Sequence, residues 1–355
     1  MRRSFSRRAF LRATAVLSVA GAFPARALAE RAASPKRMIL DLDIGIDDAF
    51  ALLLAHYSPA IELVGVTTLF GNATRDQSLR NGLYIKERFG IEAEVYRGAA
   101  AALHHPLGDP PAFVHGEDGL GDTESIEPTI QAPDLSAAEF IARTVMENPE
   151  EITLVAVGPM TNLALARLIE PAIVERVREV IVMGGAVGFN GELGNATTVG
   201  EANAWNDAHA MDSLFRYPWP VTMVGLDVTY DADAAMGPPY LEGLRSEAGD
   251  AGVFLERISR QYRRFYRQSR GVDTTFQHDS IAVACAIAPQ LFDVRRGKVR
   301  VLTEGLGRGQ TIFCPEGHHE FDSPEWADRP TQTVCSGIDG AGFLDLYRGA
   351  LRRAA

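Results

Sequence analysis

The chain has 355 residues, 46 of them acidic and 35 basic, for a formal charge of −11 at neutral pH. That balance argues against nucleic-acid backbones and anionic membranes as partners and leaves small neutral or cationic ligands open. Its length is enough for one large domain with a substantial core.

In chain order, residues 1–29 read as an export signal. Ser6-Arg-Arg-Ala-Phe-Leu-Arg12 has the twin-arginine form, and Ala27-Leu-Ala29 is a small-residue cleavage site. The apolar stretch between them, Ala13 to Phe23, is too short to span a bilayer. The expectation is a periplasmic or secreted protein, cut after Ala29, with no stable membrane insertion afterwards. Cleavage removes six arginines and no acid, which takes the formal charge to about −17. Residues 30–355 then form the one folded domain.

The first element of that domain is Met38-Ile-Leu-Asp-Leu-Asp-Ile-Gly-Ile-Asp-Asp-Ala49, an apolar run that meets four carboxylates. A helical pattern, Phe50 to Tyr57, follows. A strand that delivers acids to its C-terminal end places them where open α/β sheets bind ligands. Crowded together, Asp41, Asp43, Asp47 and Asp48 raise one another's pKa values unless a positive charge sits among them. A hard divalent cation such as calcium, which takes six to eight oxygens, answers that need. Asp47 and Asp48 could also serve as acids in the first turn of the helix, although capping does not need four acids. An EF-hand loop does not fit, because its twelfth position counted from Asp41 is Leu52 rather than a glutamate. A phosphatase with an aspartate nucleophile usually needs a lysine for phosphate, and Lys36, Lys86 and Lys298 are the only lysines.

Further along, Ile61 to Leu69, Ile152 to Val157, Val180 to Met183 and Val221 to Leu226 read as buried parallel strands. Helical patterns cover Asp76 to Phe89, Ser136 to Glu147, Met160 to Leu168 and Asp207 to Arg216. The alternation predicts a single-domain α/β fold, a doubly wound, mostly parallel open sheet of the Rossmann-like kind. Arg296 to Leu302 and Thr331 to Cys335 are further strands, with antiparallel pairing open to them, before a helix from about Gly340 to Arg352. The segment from Ala99 to Pro133 is a long loop, and such loops usually have a function. Cys285, Cys314 and Cys335 lack metal-ligand spacing. Cys285 reads as a core residue of an apolar helix, and a Cys314–Cys335 disulfide is open in an oxidising compartment.

Polar clusters stand at the ends of these strands. They are Gly71-Asn72-Ala-Thr74, His115-Gly-Glu-Asp-Gly-Leu-Gly121, Val157-Gly-Pro-Met-Thr-Asn162, Gly194-Asn195 through Glu201-Ala-Asn203 to Asp207, and His278-Asp279. Each has a dull explanation as a turn, a loop histidine or a helix cap. Together at one end of one sheet they are better explained as a site.

With these motifs in their order, residues 37–350 resemble the inosine-uridine-preferring nucleoside hydrolases, calcium-dependent N-ribohydrolases. The acid cluster, the Gly-Asn turn, the loop His-Gly, Gly-Pro-x-Thr-Asn, Asn-x5-Glu-x-Asn and the late His-Asp carry the match. Val221-Thr-Met-Val-Gly-Leu-Asp-Val-Thr229 also resembles a family stretch. The resemblance implies that Asp43, Asp48, the Val157 carbonyl and Asp279 hold calcium, with Asp43 also the general base for a calcium-bound water. It implies that Asp47, Asn195, Glu201 and Asn203 bind ribose hydroxyls, that Asn72 places water and ribose, and that His115 sits near the substrate. His278 becomes the candidate acid for the leaving base, and Asp41 a support residue. A homo-oligomer, dimer or tetramer, and a place in purine or pyrimidine salvage are implied as well. Ala202 stands where the family often has an aromatic, and Tyr230 where many members have histidine.

The chemistry needs these residue types. Breaking an N-glycosidic bond passes through an oxocarbenium-like ribosyl, so carboxylates and amide oxygens around the ring favour the transition state. The expected function is hydrolysis of ribonucleosides to ribose and free base. A catalytically weak calcium-dependent nucleoside-binding protein and a hydrolase of another N-riboside are the alternatives. The base-facing region, from Tyr262 to Tyr266 and the loop to Thr275, leaves base preference open.

Overall fold

A computed structural model describes residues 34–123, 126–318 and 324–355. The twin-arginine motif and the cleavage site after Ala29 lie outside the described residues. Residues Pro35–Ala355 form one compact unit. No helix among the described residues is long and apolar enough to cross a membrane.

The chain begins with β1 (Lys36–Leu42), α1 (Ile46–Tyr57), β2 (Ile61–Thr68), α2 (Arg75–Phe89) and β3 (Glu94–Arg97). It continues through α3 (Ala112–His115), α4 (Ala137–Glu147), β4 (Ile152–Ala156), α5 (Thr161–Ile169) and β5 (Glu179–Met183). Then come α6 (Ala202–Asn206), α7 (Ala208–Leu214), β6 (Val221–Val224), α8 (Leu226–Thr229), α9 (Pro238–Glu247) and α10 (Gly249–Arg270). Last are α11 (His278–Ile287), β7 (Phe292–Val301), β8 (Thr311–Pro315), α12 (Pro324–Ala327), β9 (Gln332–Ile338) and α13 (Gly340–Leu351).

The nine strands form one sheet in the order β3-β2-β1-β4-β5-β6-β9-β7-β8. Strands β1 to β6 pair in parallel, as the continuous apolar runs predict. The antiparallel expectation holds for β7 against β8 and β9, whereas β9 itself runs parallel to β6. The sheet packs between two apolar clusters, one involving α1, α10, α11 and α13, the other α4, α5 and α7. Helix α1 is buried from Ile46 to Ala55 and α11 from His278 to Ala286. Neither has a solvated face, so both are central packing elements.

Several expectations shift in detail. Helix α1 starts at Ile46, four residues before the periodic pattern, which takes Asp47 and Asp48 into its first turn. The Asp207–Arg216 helix is preceded by α6, and Asp207 caps α7 by accepting from Ala210 N at 3.0 Å. The Ala99–Pro133 loop contains the single turn α3. Strands β3 and β8 and the α9–α10 pair are elements that the sequence reading did not delimit. All three cysteines are free. Cys314 and Cys335 lie on β8 and β9, with β7 between them. Two strand spacings are about 9.6 Å, beyond the roughly 7 Å Cα reach of a disulfide.

The order reverses at β1: the chain steps outward through β2 and β3, then returns to β4 on the other side. That reversal opens a crevice beyond the C-terminal ends of β1 and β4, where ligands bind in this class of sheet. The acid cluster follows β1, and Val157 follows β4.

Candidate active site

Asp41 near the end of β1 and Asp43, Asp47 and Asp48 after it are all buried, and Asp279 at the start of α11 joins them. Asp41 belongs to the support. Its Oδ1 accepts from Thr67 Oγ1 and from Asn162 Nδ2 at 2.7 Å, joining the ends of β1, β2 and α5. Asp43 accepts from Asn72 N at 2.7 Å and from Asn72 Nδ2 at 3.2 Å. This contact requires Gly71, which has φ +153° and where an added Cβ would lie 1.8 Å from Asp43 Oδ2. Asp48 accepts from Asp43 N at 3.1 Å, Gly45 N at 2.8 Å and Asn72 Nδ2 at 3.0 Å. Asp48 therefore caps α1 as well, so the capping reading describes part of its role.

Oxygens of Asp47, Asp48 and Asp279 converge, lying within 4.8 Å of one another. Asp47 Oδ1 and Asp279 Oδ2 are buried without a hydrogen-bond partner. Burial, followed by the Asp48 charge, raises the pKa of Asp43 and Asp47. Burial and then Asp47 do the same for Asp279, and burial raises Asp48 and lifts Asp41 to about 7. Such a group of oxygen donors, left by the protein with open valences, fits a hard divalent cation. Asp47, Asp48 and Asp279 have the oxygen donors and the spacing that a metal site requires.

The ribose-binding candidates line the same crevice. Glu201 is buried and caps α6, accepting from Asn203 N at 3.0 Å, Ala204 N at 3.0 Å and Gly185 N at 2.9 Å. Asn203 donates through Nδ2 to the Val157 carbonyl at 2.7 Å, so one of that oxygen's two lone pairs is taken. Asn195 accepts from Ala202 N at 2.8 Å and lines the cavity. His115 accepts at Nδ1 from Ile46 N at 3.1 Å, and that nitrogen lies 3.9 Å from Asp47 Oδ1. Burial lowers the His115 pKa to about 3 and keeps the ring neutral, as an acceptor at Nδ1 must be.

His278 borders the cavity at the head of α11. Its Nε2 lies 2.8 Å from the Tyr266 hydroxyl, and its Nδ1 lies 2.7 Å from Thr229 Oγ1. Burial, with a smaller repulsion from Arg270, lowers its pKa to about 3. The Tyr266 hydroxyl donates to that of Tyr262 at 3.3 Å, and Tyr262 donates to Asp47 Oδ2 at 3.0 Å. A continuous hydrogen-bonded row thus runs from His278 to the acid cluster. Burial raises both tyrosine pKa values well above the ordinary one, so the hydroxyls hold their protons. The sequence places Tyr262 to Tyr266 only in the base-facing region and does not give the hydrogen-bonded row. Their signal is spacing: Tyr262, Tyr266 and Arg270 recur every four residues along α10 and all face the cavity. Arg270 lies over the Tyr230 ring at 3.7 Å and forms a paired contact with Glu192 at 2.8 and 3.0 Å. The cavity these residues share measures about 750 Å³, enough for a nucleoside.

Comparison with known proteins agrees with this geometry. The inosine-uridine preferring nucleoside hydrolase family profile matches residues 38–345. A Crithidia fasciculata protein of that description is 38% identical over 325 residues, 90% of this chain and 98% of its own. Uridine nucleosidase 1 of Arabidopsis thaliana is 32% identical over 90% of this chain and 94% of its own. Among solved structures, a plant nucleoside hydrolase superposes with a TM-score of 0.85 at 31% identity, covering 89% of this chain and 99% of its own. A purine-preferring ribonucleoside hydrolase from Gardnerella vaginalis gives 0.81 at 34% identity, covering 89% and 98%. This chain belongs to the inosine-uridine preferring nucleoside hydrolase family and is a hydrolase of ribonucleoside N-glycosidic bonds.

Proposed function

We propose that the acidic site takes calcium and that the residues around it divide the work of ribosyl transfer to water. The observation that carries this reading is the convergence of buried carboxylate oxygens, two of them unpartnered, at the end of β1. Asp43, Asp48, Asp279 and the Val157 carbonyl are the proposed ligands, with Asp47 beside them. When bound, the cation supplies Lewis acidity toward water and a positive anchor for vicinal hydroxyls. Asp43, steadied by both Asn72 donors, takes the proton of the attacking water. Asp47 and the Asn203 Oδ1 accept from the ribose hydroxyls, with Glu201 and Asn195 fixing the α6 segment that presents Asn203. The carboxylates also favour positive charge on the ring as the bond breaks.

His278 and Tyr266 form the proposed proton source for the departing base. The buried imidazole is neutral, so Tyr266 turns its hydroxyl proton from Tyr262 to the departing base, and His278 Nε2–H donates to the phenolate oxygen left behind. The proton that Asp43 takes from water returns to Tyr266 through solvent to complete the cycle. The relatives' names support uridine and inosine as substrates. The cavity wall supports an aromatic base near Tyr230 and Tyr266.

Export through the twin-arginine route, a periplasmic or secreted location, assembly of two or four chains and a part in nucleoside salvage belong to the same proposal. The deciding experiment measures reducing sugar released from a panel of ribonucleosides, with bound metal quantified in parallel. Chelation should abolish turnover and added calcium restore it, and Asp48→Asn should lose both metal and activity. Full activity with no bound metal would overturn the calcium assignment.

A further inference from the structure

A second group of metal-binding side chains lies apart from the acidic site and has no part in the chemistry above. Donor atoms of His104, His209 and Glu304 lie within 4.8 Å of one another. Three distant segments bring them together: the segment after β3, helix α7 and the turn joining β7 to β8. The imidazole centroids of His104 and His209 are 4.6 Å apart, and that of His105 lies 5.4 and 5.1 Å from them.

The surrounding polar contacts hold this arrangement without help from an ion. Asp207 accepts from Leu103 N at 2.9 Å through Oδ2 and caps α7 through Oδ1, so one side chain anchors the segments of both His104 and His209. His105 Nε2 lies 2.8 Å from the Thr303 carbonyl, which ties the same loop to the residue before Glu304. Gly309 N closes the turn onto the Leu302 carbonyl at 2.8 Å. Within this frame His209 Nδ1 is buried and has no hydrogen-bond partner. An unpartnered buried imidazole nitrogen is costly unless a ligand meets it.

We propose that His104, His209 and Glu304 form a second cation site for a divalent ion of the zinc class, which ties the loop after β3 to the β7–β8 turn. Two imidazoles and one carboxylate suit zinc, nickel or cobalt, whereas calcium prefers oxygen alone. In a tetrahedral zinc site, donors about 2.0–2.2 Å from the metal are roughly 3.3–3.6 Å from each other. Donors already within 4.8 Å need only small side-chain rotations to reach that spacing. Water fills the fourth position. The tethered loop continues into Leu107, Pro110 and Phe113, which border the substrate cavity. Occupation of the site therefore restrains one wall of that cavity from outside it.

The test uses tag-free protein saturated with calcium, so that the acidic site is not free for the probe. Zinc should bind at one ion per chain by equilibrium dialysis, and cobalt should give visible absorption with the intensity of a tetrahedral site. His104→Gln and His209→Gln should each weaken zinc binding by about tenfold or more, while His56→Gln, on α1, should leave it unchanged. Zinc should also slow protease nicking between residues 99 and 111 in the parent protein and not in His104→Gln. His104 is exposed, so that variant is expected to fold, and its uridine turnover in calcium without zinc should match the parent. No zinc bound by the calcium-loaded parent, or equal binding by the parent and both histidine variants, would overturn the site. Zinc that binds without changing the nicking would overturn the tether.

Discussion

Each aspartate of the cluster solves a different local problem. Asp41 is tied through Oδ1 to Thr67 and Asn162 and keeps its Oδ2 without a partner, Asp48 serves the helix start and Asn72, and Asp47 and Asp279 each present one unpartnered oxygen toward the convergent group. In the proposed function these open donors act on the ribose. A site built to bind a hydroxyl can reject the analogue lacking it by about 10⁴-fold. Uridine should therefore exceed 2′-deoxyuridine in kcat/KM by that order, and comparable values would remove Asp47 and the cation from the sugar. At the other end of the tyrosine row, His278→Ala should slow a natural nucleoside by about 10²–10⁴-fold. The same variant should leave a nitrophenyl riboside nearly untouched, because nitrophenolate departs without a proton. Equal losses on both substrates would place His278 on the ribosyl side or in folding, and Tyr266→Phe would then be the variant to examine.

Helices contribute to the site mainly through where they start. Helix α1 brings in two acids with its first turn, Glu201 caps the start of α6, and α11 begins at His278 and Asp279. Each start is at the C-terminal edge of the sheet, where the partial positive charge of a helix N-terminus favours anions and lone pairs. Other helix starts serve stability alone. Ser136 caps α4 with a reciprocal Glu139 contact and lies outside the cavity. Ser136→Ala should cost about 1 kcal/mol of stability and leave kcat and KM unchanged. Gly71→Ala is the opposite case, since its Cβ would strike Asp43. Denaturant unfolding and turnover measured together should show a loss of most activity with Gly71→Ala, out of proportion to its loss of stability. A fully active Gly71→Ala would show that the Asp43–Asn72 contact is dispensable.

At the scale of the molecule, the acid cluster links metal, pH and stability. A carboxyl whose folded pKa is raised contributes stability fully below its unfolded value, and that stability is lost as pH rises through the folded value. Asp41 lies near the ordinary aspartate value of 3.8 when unfolded and is raised to about 7 when folded, with burial as the main cause. The chelated protein should therefore lose stability from about pH 4 to about pH 7, by about 1.4 kcal/mol per pH unit for that group alone. Saturating calcium should flatten the slope, because the ion compensates the charges and binds only the folded chain. Melting curves at several pH values, with and without chelator, check this, and identical slopes would refute it. Export belongs to the same scale. Under the proposed twin-arginine export, changing both Arg7 and Arg8 to lysine should hold the protein in the cytoplasm, read by fractionation, because such a signal is an address recognised by a receptor; an unimpaired periplasmic fraction would overturn that export route.

The apolar runs, the acids at the end of the first strand and the polar clusters after later strands were readable because they are local, a matter of periodicity and spacing along the chain. They sufficed for the fold class and for the family resemblance. Pairing was not local: β9 enters between β6 and β7, an order that no periodicity encodes. The oxygens that remain open were likewise settled by contacts such as Asn203 to Val157, which spans 46 positions. Tyr262 is 215 positions from Asp47, and only the packing of α10 over the cavity brings its hydroxyl to that carboxylate. The sequence by itself determined which side chains could carry the chemistry. Tertiary structure decided which of them meet, because a hydrogen bond depends on distance in space and takes no account of separation along the chain.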